Sequence, residues 1–309
     1  MNRLLAVLVL SGLTAQAQTI TETFGSGANQ FSIDFVEIGN PGNAADTMGR
    51  GGVTYIYNLG KYEVSQDMFS KVGLTFGNVS GDLTQPGFTG PNKPAMKITW
   101  NAAALFVNYL NTSKGYQAAY KEGGSPWEAG QQSANSPYRH KDSYYFLPTL
   151  DEWWKGAFYD PNKNNGTGGY WKYSTGSDIS PTVVSAGTQP GTVVQSVAVP
   201  YIYGPPADIQ SSGGSSPYGT MAQGGNAPEW TEDKYVDPWR SYRWLVRSGI
   251  DRESADLYPH DEYFINTFDF YGFRVAMVPE PSSLSLLLAG GAVLMAGRRR
   301  NRETMSPKG

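Results

Sequence analysis

The 309-residue chain has no cysteine, which excludes a thiol nucleophile, a thiolate metal ligand and any disulfide staple. Its two histidines, His140 and His260, are far apart in sequence and form no His-x-x-x-His pair, so no zinc or iron site built on imidazole is indicated. Charged residues make up only 17% of the chain. No basic run interrupts its central part, which does not fit nucleic acid, whose binding depends on Lys and Arg neutralising phosphates. There is no Gly-x-Ser-x-Gly elbow, no Gly-Lys-Ser/Thr phosphate cradle and no repeat of fixed period. What is abundant is glycine, 37 residues, and aromatics, 13% of the chain. With polar turn residues clustered between short apolar runs, this composition predicts an irregular, loop-rich α+β domain, not a helical bundle or doubly wound sheet.

The two ends differ from the middle. Arg3, the apolar run Leu4 to Leu10 and the small-x-small sequence Ala15-Gln16-Ala17 follow the order of a signal peptide over residues 1–17, with the mature chain starting near Gln18. At the other end stand Pro279-Glu280-Pro281, an apolar stretch from Leu284 to Gly297, and Arg298-Arg299-Arg300. As a helix that stretch reaches about 21 Å at 1.5 Å per residue, short of a hydrocarbon core of roughly 30 Å. The three-part order across residues 278–302 resembles the PEP-CTERM sorting signal of Gram-negative bacteria. The resemblance implies signal peptidase and an exosortase as processing partners. It also implies transient anchoring in the inner membrane, then a place at the cell surface or in the extracellular matrix. An ordinary C-terminal anchor is the alternative, and it too puts residues 18–277 outside the cytoplasm. Six of the 24 basic residues and two of the 27 acidic ones lie outside residues 18–277, which leaves the domain with 18 against 25, a net charge of −7.

Within the domain, Gln30 to Ile38 alternates as a strand and Val53 to Leu59 is a second strand candidate. Ser65 caps a short helix from Gln66 to Val72, stopped by Gly73. The clearest helix follows Thr99, with Ala102, Leu105, Phe106, Tyr109 and Leu110 on one face. Tyr144 to Leu147 reads as a short strand, and Thr149-Leu150-Asp151-Glu152 as a capping box opening a helix to about Tyr159. A Val-rich strand is expected near Val193 to Tyr201 and a closing strand at Phe270 to Ala276, with irregular alternation from Asn226 onward.

Five motifs occur in a fixed order: Leu59-Gly60-Lys61-Tyr62-Glu63-Val64-Ser65; Pro94 to Leu110 with Thr99-Trp100-Asn101; Phe146-Leu147-Pro148-Thr149-Leu150-Asp151-Glu152-Trp153; Tyr218-Gly219-Thr220-Met221 leading into Gly225-Asn226-Ala227-Pro228-Glu229-Trp230; and Gly272-Phe273-Arg274-Val275-Ala276. Together they resemble the formylglycine-generating enzyme, or sulfatase-modifying factor, domain across about residues 34–277. The resemblance implies a loop-rich variant of the C-type lectin fold. It also raises the expectation of an oxidoreductase that converts a sulfatase cysteine to formylglycine with a pair of cysteines, which hold copper(I) in the aerobic enzymes. Those cysteines would fall between Trp244 and Phe264, where this chain reads Arg247-Ser248-Gly249-Ile250-Asp251. Soft thiolates are the natural ligands of copper(I), and none is present. The fold is therefore expected without the reaction, and no copper.

The same resemblance implies a calcium site on the carbonyls of Gly225 and Ala227 and on Glu229, of the hard-oxygen type calcium takes. Ala222 stands where the family often has Asn or Asp, removing one oxygen. The alternation Asp160, Asn162, Asn164 lacks the Gly and Glu an EF-hand needs and reads as an Asn/Gly turn. Trp100, Trp153 and Trp230 read as core, whereas Trp171, Tyr173, Trp239, Tyr242 and Trp244 lie among polar loop residues where rings could stack on a sugar or peptide. The resulting expectation is an exported, non-catalytic surface or matrix module that binds polysaccharide or a surface protein. An oxidoreductase of the family type and a passive matrix component are the alternatives.

Overall fold

The computed structural model describes residues 19–74, 86–195, 204–237, 240–246, 251–252, 257–261 and 270–279. The expected signal peptide and the tail beyond Pro279, with Glu280, Pro281, Arg298, Arg299 and Arg300, lie outside the described residues, as does Trp239.

Strands β1 (Thr19–Phe24) and β2 (Phe31–Ile38) pair antiparallel, with Phe24 opposite Phe31 and Thr19 opposite Val36. Strand β3 (Tyr57–Gly60) pairs with β2 and is wholly buried. Helix α1 (Gln66–Lys71) starts where the Ser65 hydroxyl accepts from the Met68 amide at 3.2 Å and ends before Gly73, whose positive φ of 76° suits glycine. Helix α2 (Trp100–Ser113) is capped by Thr99. Its buried face is Trp100, Ala103, Ala104, Phe106, Val107, Leu110 and Asn111. This corrects the expected stripe: Leu105 is half exposed, and Ala102 and Tyr109 are only partly buried. Both sets satisfy 3–4 spacing, and the set with small residues faces inward because it lets the helix approach the sheet.

Strand β4 (Tyr145–Phe146) leads into helix α3 (Leu150–Phe158) through the capping box, with the Thr149 hydroxyl accepting from the Glu152 amide and Glu152 accepting from the Thr149 amide. Seven of the eight α3 side chains are buried, and a Cβ on Gly156 would lie 2.5 Å from Leu59 Cδ2, so glycine lets the helix sit close to the strand without displacing Leu59. Short antiparallel strands β5 (Tyr159–Asp160) and β6 (Gly169–Tyr170) flank a turn in which Asn164 and Asn165 adopt left-handed φ values of 56° and 58°. Strands β7 (Thr182–Val184) and β8 (Thr192–Val194) pair in parallel. The chain then forms β9 (Glu229–Asp237), β10 (Arg240–Val246), β11 (Leu257–Asp261) and β12 (Ala276–Met277).

The main sheet runs β1-β2-β3-β12-β4, so the last described strand sits between elements from the first half of the chain. Helix α2 packs on it through Phe106, whose ring lies 5.3 Å from Phe273 and 5.9 Å from Phe31. Strands β11-β10-β9 form a second antiparallel sheet, where sequence periodicity predicted only irregular alternation. The closing strand is shorter than expected because Phe270 to Val275 spends its backbone bonds on Pro228, Val64 and Gly60 in place of a ladder. The architecture is α+β, as the composition predicted.

Asn111 ties the two halves of this core. Its side-chain oxygen accepts from the amides of Tyr144 and Tyr145 at 2.8 and 2.9 Å, and its nitrogen donates to the carbonyls of Tyr145 and Val107. Asn111→Ala strands these buried groups, and urea denaturation is expected to show a loss of about 3 kcal/mol.

Candidate functional site

The motif residues meet at one buried node. Arg274 is fully buried and uses every N–H of its guanidinium. It makes a bidentate pair with Glu229 at 2.7 and 2.6 Å and donates to the carbonyls of Gly60, Lys61 and Met221. The Trp153 indole donates to Glu229 at 2.5 Å, so both carboxylate oxygens are occupied. Beside this pair, Glu63 accepts from the Asn226 amide nitrogen at 2.6 Å and the Ala227 backbone amide at 2.9 Å. Asn226 has a left-handed φ of 61°, and its oxygen accepts from the Ala207 amide. A Cβ on Gly225 would fall 2.0 Å from the Val194 carbonyl oxygen, so the dipeptide Gly225-Asn226 is dictated by close approach and by backbone conformation.

A second buried node lies at the start of α3. The Arg139 side chain donates to Glu232 and, at 3.2 Å, to Glu152, while its guanidinium sits 3.5 Å over the Phe146 ring. The Tyr120 hydroxyl donates to Glu232 at 2.8 Å and the Tyr55 hydroxyl to Glu152 at 2.6 Å. Each node thus sets two carboxylates against one guanidinium. Burial pushes Glu63 up to about 8, helped by the charge of Glu229 and opposed by Arg274. Burial likewise pushes Glu232 up to about 7 against the pull of Arg139, and Asp233 up to about 6. Two negative groups without water cannot both be balanced by one cation, and a retained proton is the remedy.

The first node is built from motif residues, Gly60, Lys61, Glu63, Trp153, Met221, Asn226, Glu229 and Arg274, whereas the second adds Arg139, Tyr55 and Tyr120 from outside the motifs. The family model described as the sulfatase-modifying factor enzyme 1-like domain, FGE-sulfatase, matches residues 53–277. The chain belongs to this family. No curated protein matches it. Similar solved structures include Treponema denticola variable protein 1, at 19% identity and TM-score 0.46 over 84% of this chain and 99% of that one. Another is described as the crystal structure of CarF, at 16% identity and TM-score 0.50 over 85% and 99% of the respective chains. At that identity the likeness to CarF is one of fold.

Set against the sulfatase-modifying factor pattern, the implied metal sites do not fit these residues. A chain without cysteine offers copper(I) no thiolate. Calcium needs free oxygens, but Glu229 has given both of its own to Arg274 and Trp153, and the guanidinium charge stands where a cation would have to approach. Gly225, Ala227 and Glu229 are brought together, as the motif implied, but as parts of the Arg274 node. Ala222, at a left-handed φ of 69°, occupies a conformation that Asn and Asp tolerate better.

Of the aromatic candidates, Trp171 and Tyr173 are the two whose side chains lie among the described residues. Trp171 is half-buried, donates to Asp160 at 3.0 Å and carries Lys163 over its ring at 3.8 Å. Tyr173 is only 8% exposed, so its ring leaves no face for a ligand, which corrects its placement among the binding residues. Tyr242 and Trp244 belong to β10, opposite Asp261 and Pro259 of β11, but their side chains lie outside the described residues. His140 packs against Trp127 and His260 stands opposite Arg243 on β11, so each serves a separate element. Trp100, Trp153 and Trp230 are core, with indole donors satisfied by Thr231, Glu229 and Ile98. Three surface cavities flank the Arg274 node. One of about 500 Å³ borders Val194 and Ala207, one of about 400 Å³ borders Lys61 and Met221, and one of about 200 Å³ borders Glu63.

Periodicity gave no hint of Arg139, Tyr55 or Tyr120, because isolated polar residues in loops carry no pattern. The retained protons have a measurable consequence. The folded state binds more protons than the unfolded chain between about pH 4.5 and 8, so stability is greatest at the acidic end and falls as pH rises through that window. Glu63→Gln should flatten this decline by about 1 kcal/mol per pH unit, whatever its effect on absolute stability, in chemical denaturation at pH 5, 6, 7 and 8.

Proposed function

We propose that the domain is a non-catalytic binding module, exported and then displayed at the cell surface or in the extracellular matrix, that binds a polysaccharide or a surface protein. The observation that carries the reading is the fate of the family's charged residues. Glu63, Glu229, Arg274, Arg139, Glu152 and Glu232 are all buried and bonded to one another or to backbone. None is left to act on a substrate, and the chain has no thiol to take up the family's oxidation.

The loop-rich α+β arrangement supports assigning the domain to the C-type lectin type of fold, in which loops around a fixed core present the binding surface. Export rests on the order of features at the two ends. Residues 1–17 would be removed by signal peptidase. The segment from Pro279-Glu280-Pro281 to Arg298-Arg299-Arg300 would be handled by an exosortase after holding the chain in the inner membrane. Among the described residues no helix is long and apolar enough to cross a membrane, and the segment in question lies beyond them. The domain's net charge of −7 suits neutral or cationic partners better than nucleic acid.

Two measurements bear on this. Purified protein supplied with copper(I), oxygen and a cysteine peptide of the sulfatase type should yield no formylglycine by mass spectrometry, and sustained turnover would overturn the reading. A polysaccharide array and a pull-down against purified surface proteins should return a ligand with a dissociation constant in the micromolar range or tighter. Silence of the correctly folded protein in both would favour a passive matrix component.

A further inference from the structure

A second feature of the surface lies away from both nodes and from every aromatic residue singled out in the sequence. Tyr116, just beyond the C-terminus of α2, is 42% exposed. Its ring stacks on that of Tyr144 at 4.7 Å with an interplanar angle of 14°. The pair is rigidly mounted. The Tyr116 amide donates to the Asn111 carbonyl at 2.9 Å, and the Tyr144 amide to the Asn111 side chain at 2.8 Å. Tyr145 meets both rings edge-on, at 6.2 Å from Tyr116 and 5.0 Å from Tyr144. The hydroxyl of Tyr145 donates to Glu22 at 3.0 Å, and Lys114 pairs with the same Glu22 oxygen at 3.0 Å. Val278, also 42% exposed, is fixed beside the platform by its amide, which donates to the Tyr144 carbonyl at 3.0 Å.

From this arrangement we infer that the Tyr116–Tyr144 stack is a subsite for one ring of a neutral polysaccharide. The inference rests on the binding-module reading and names its ligand class. A pyranose with equatorial hydroxyls turns axial C–H groups outward on its two faces, and these match the electron-rich face of a flat aromatic ring. Its hydroxyls are both donors and acceptors and need both kinds of partner at the rim. Glu22 and Lys114 supply one acceptor and one donor, already oriented by their mutual pairing, with no net charge. A uronic-acid chain would meet Glu22 and the domain's net negative charge. An apolar protein segment would need a broader apolar patch than two rings and one valine. The stacked geometry also requires no ordering on binding, which lowers the entropy cost of a weak, repeated contact along a polymer.

Native affinity electrophoresis tests this with hydroxyethyl cellulose, pullulan or alginate cast in the gel. The protein should be retarded by at least one of the two neutral polymers and not by alginate. Tyr116→Phe should keep the retardation, and Tyr116→Ala should weaken it at least fivefold at an unchanged melting temperature. Equal retardation of Tyr116→Ala and the unaltered protein would move the ligand elsewhere and overturn the subsite, while leaving the binding module intact. Retardation by alginate alone would overturn the neutral-ligand assignment. No retardation in any gel, with binding to a surface protein, would overturn the inference but not the module. Failure of both would overturn the two together.

Discussion

A guanidinium removed from water must find all of its hydrogen-bond partners inside the protein, and the position of nearly every functional-family motif here follows from how Arg274 does so. Its partners come from β3, from the loop before Gly225 and from the first residue of β9, the farthest of them 214 positions from Arg274 in the chain. A buried ion pair of this kind adds little net stability compared with well-packed apolar residues, but losing one partner costs about 3 to 5 kcal/mol. It therefore acts as a constraint on which loop lies next to which. Trp153 and Glu63 extend that constraint into α3 and the Gly225-Asn226 turn. The Arg139 node repeats the same stoichiometry at the start of the helix.

The motif residues Gly60, Lys61, Met221, Glu229 and Arg274 hold segments of a loop-rich core together, in a chain that has no cysteine. Retained protons at Glu63 and Glu232 follow from the same burial of charge. The stacked tyrosines at the end of α2 form an exposed surface whose backbone is held by Asn111.

Local signals in the sequence were reliable where one residue's chemistry sets a boundary. Ser65, Thr99 and the Thr149–Glu152 box each start a helix at the expected residue. The inward face of α2 was misread because apolar residues on two sides share the same spacing, and only contact with Phe273 and Phe31 chooses between them. The second sheet escaped periodicity because β9 begins with residues committed to the node, and its register shifts between Arg243 and Leu245. The motif Gly225 to Glu229 was legible as a unit, but its role was not. A calcium site and an arginine pair use the same acid, and choosing between them requires knowing that Arg274, 45 positions away, returns to Glu229. Tyr116 carries no sequence signal, since an isolated tyrosine after a helix is unremarkable until Tyr144 is seen beneath it.

The central claim is that the Glu229–Arg274 pair is structural. A double-mutant cycle with Glu229→Leu, Arg274→Met and the combined variant, followed by urea denaturation and by binding, tests it directly. The account predicts that each single change costs about 3 kcal/mol or more, and that the double variant recovers several of those kcal/mol because no unpaired charge is left buried. It also predicts that the double variant binds as the unaltered protein does. Single variants that fold with unchanged stability yet lose binding, and a double variant that does not restore it, would contradict the claim and place the pair in a functional site.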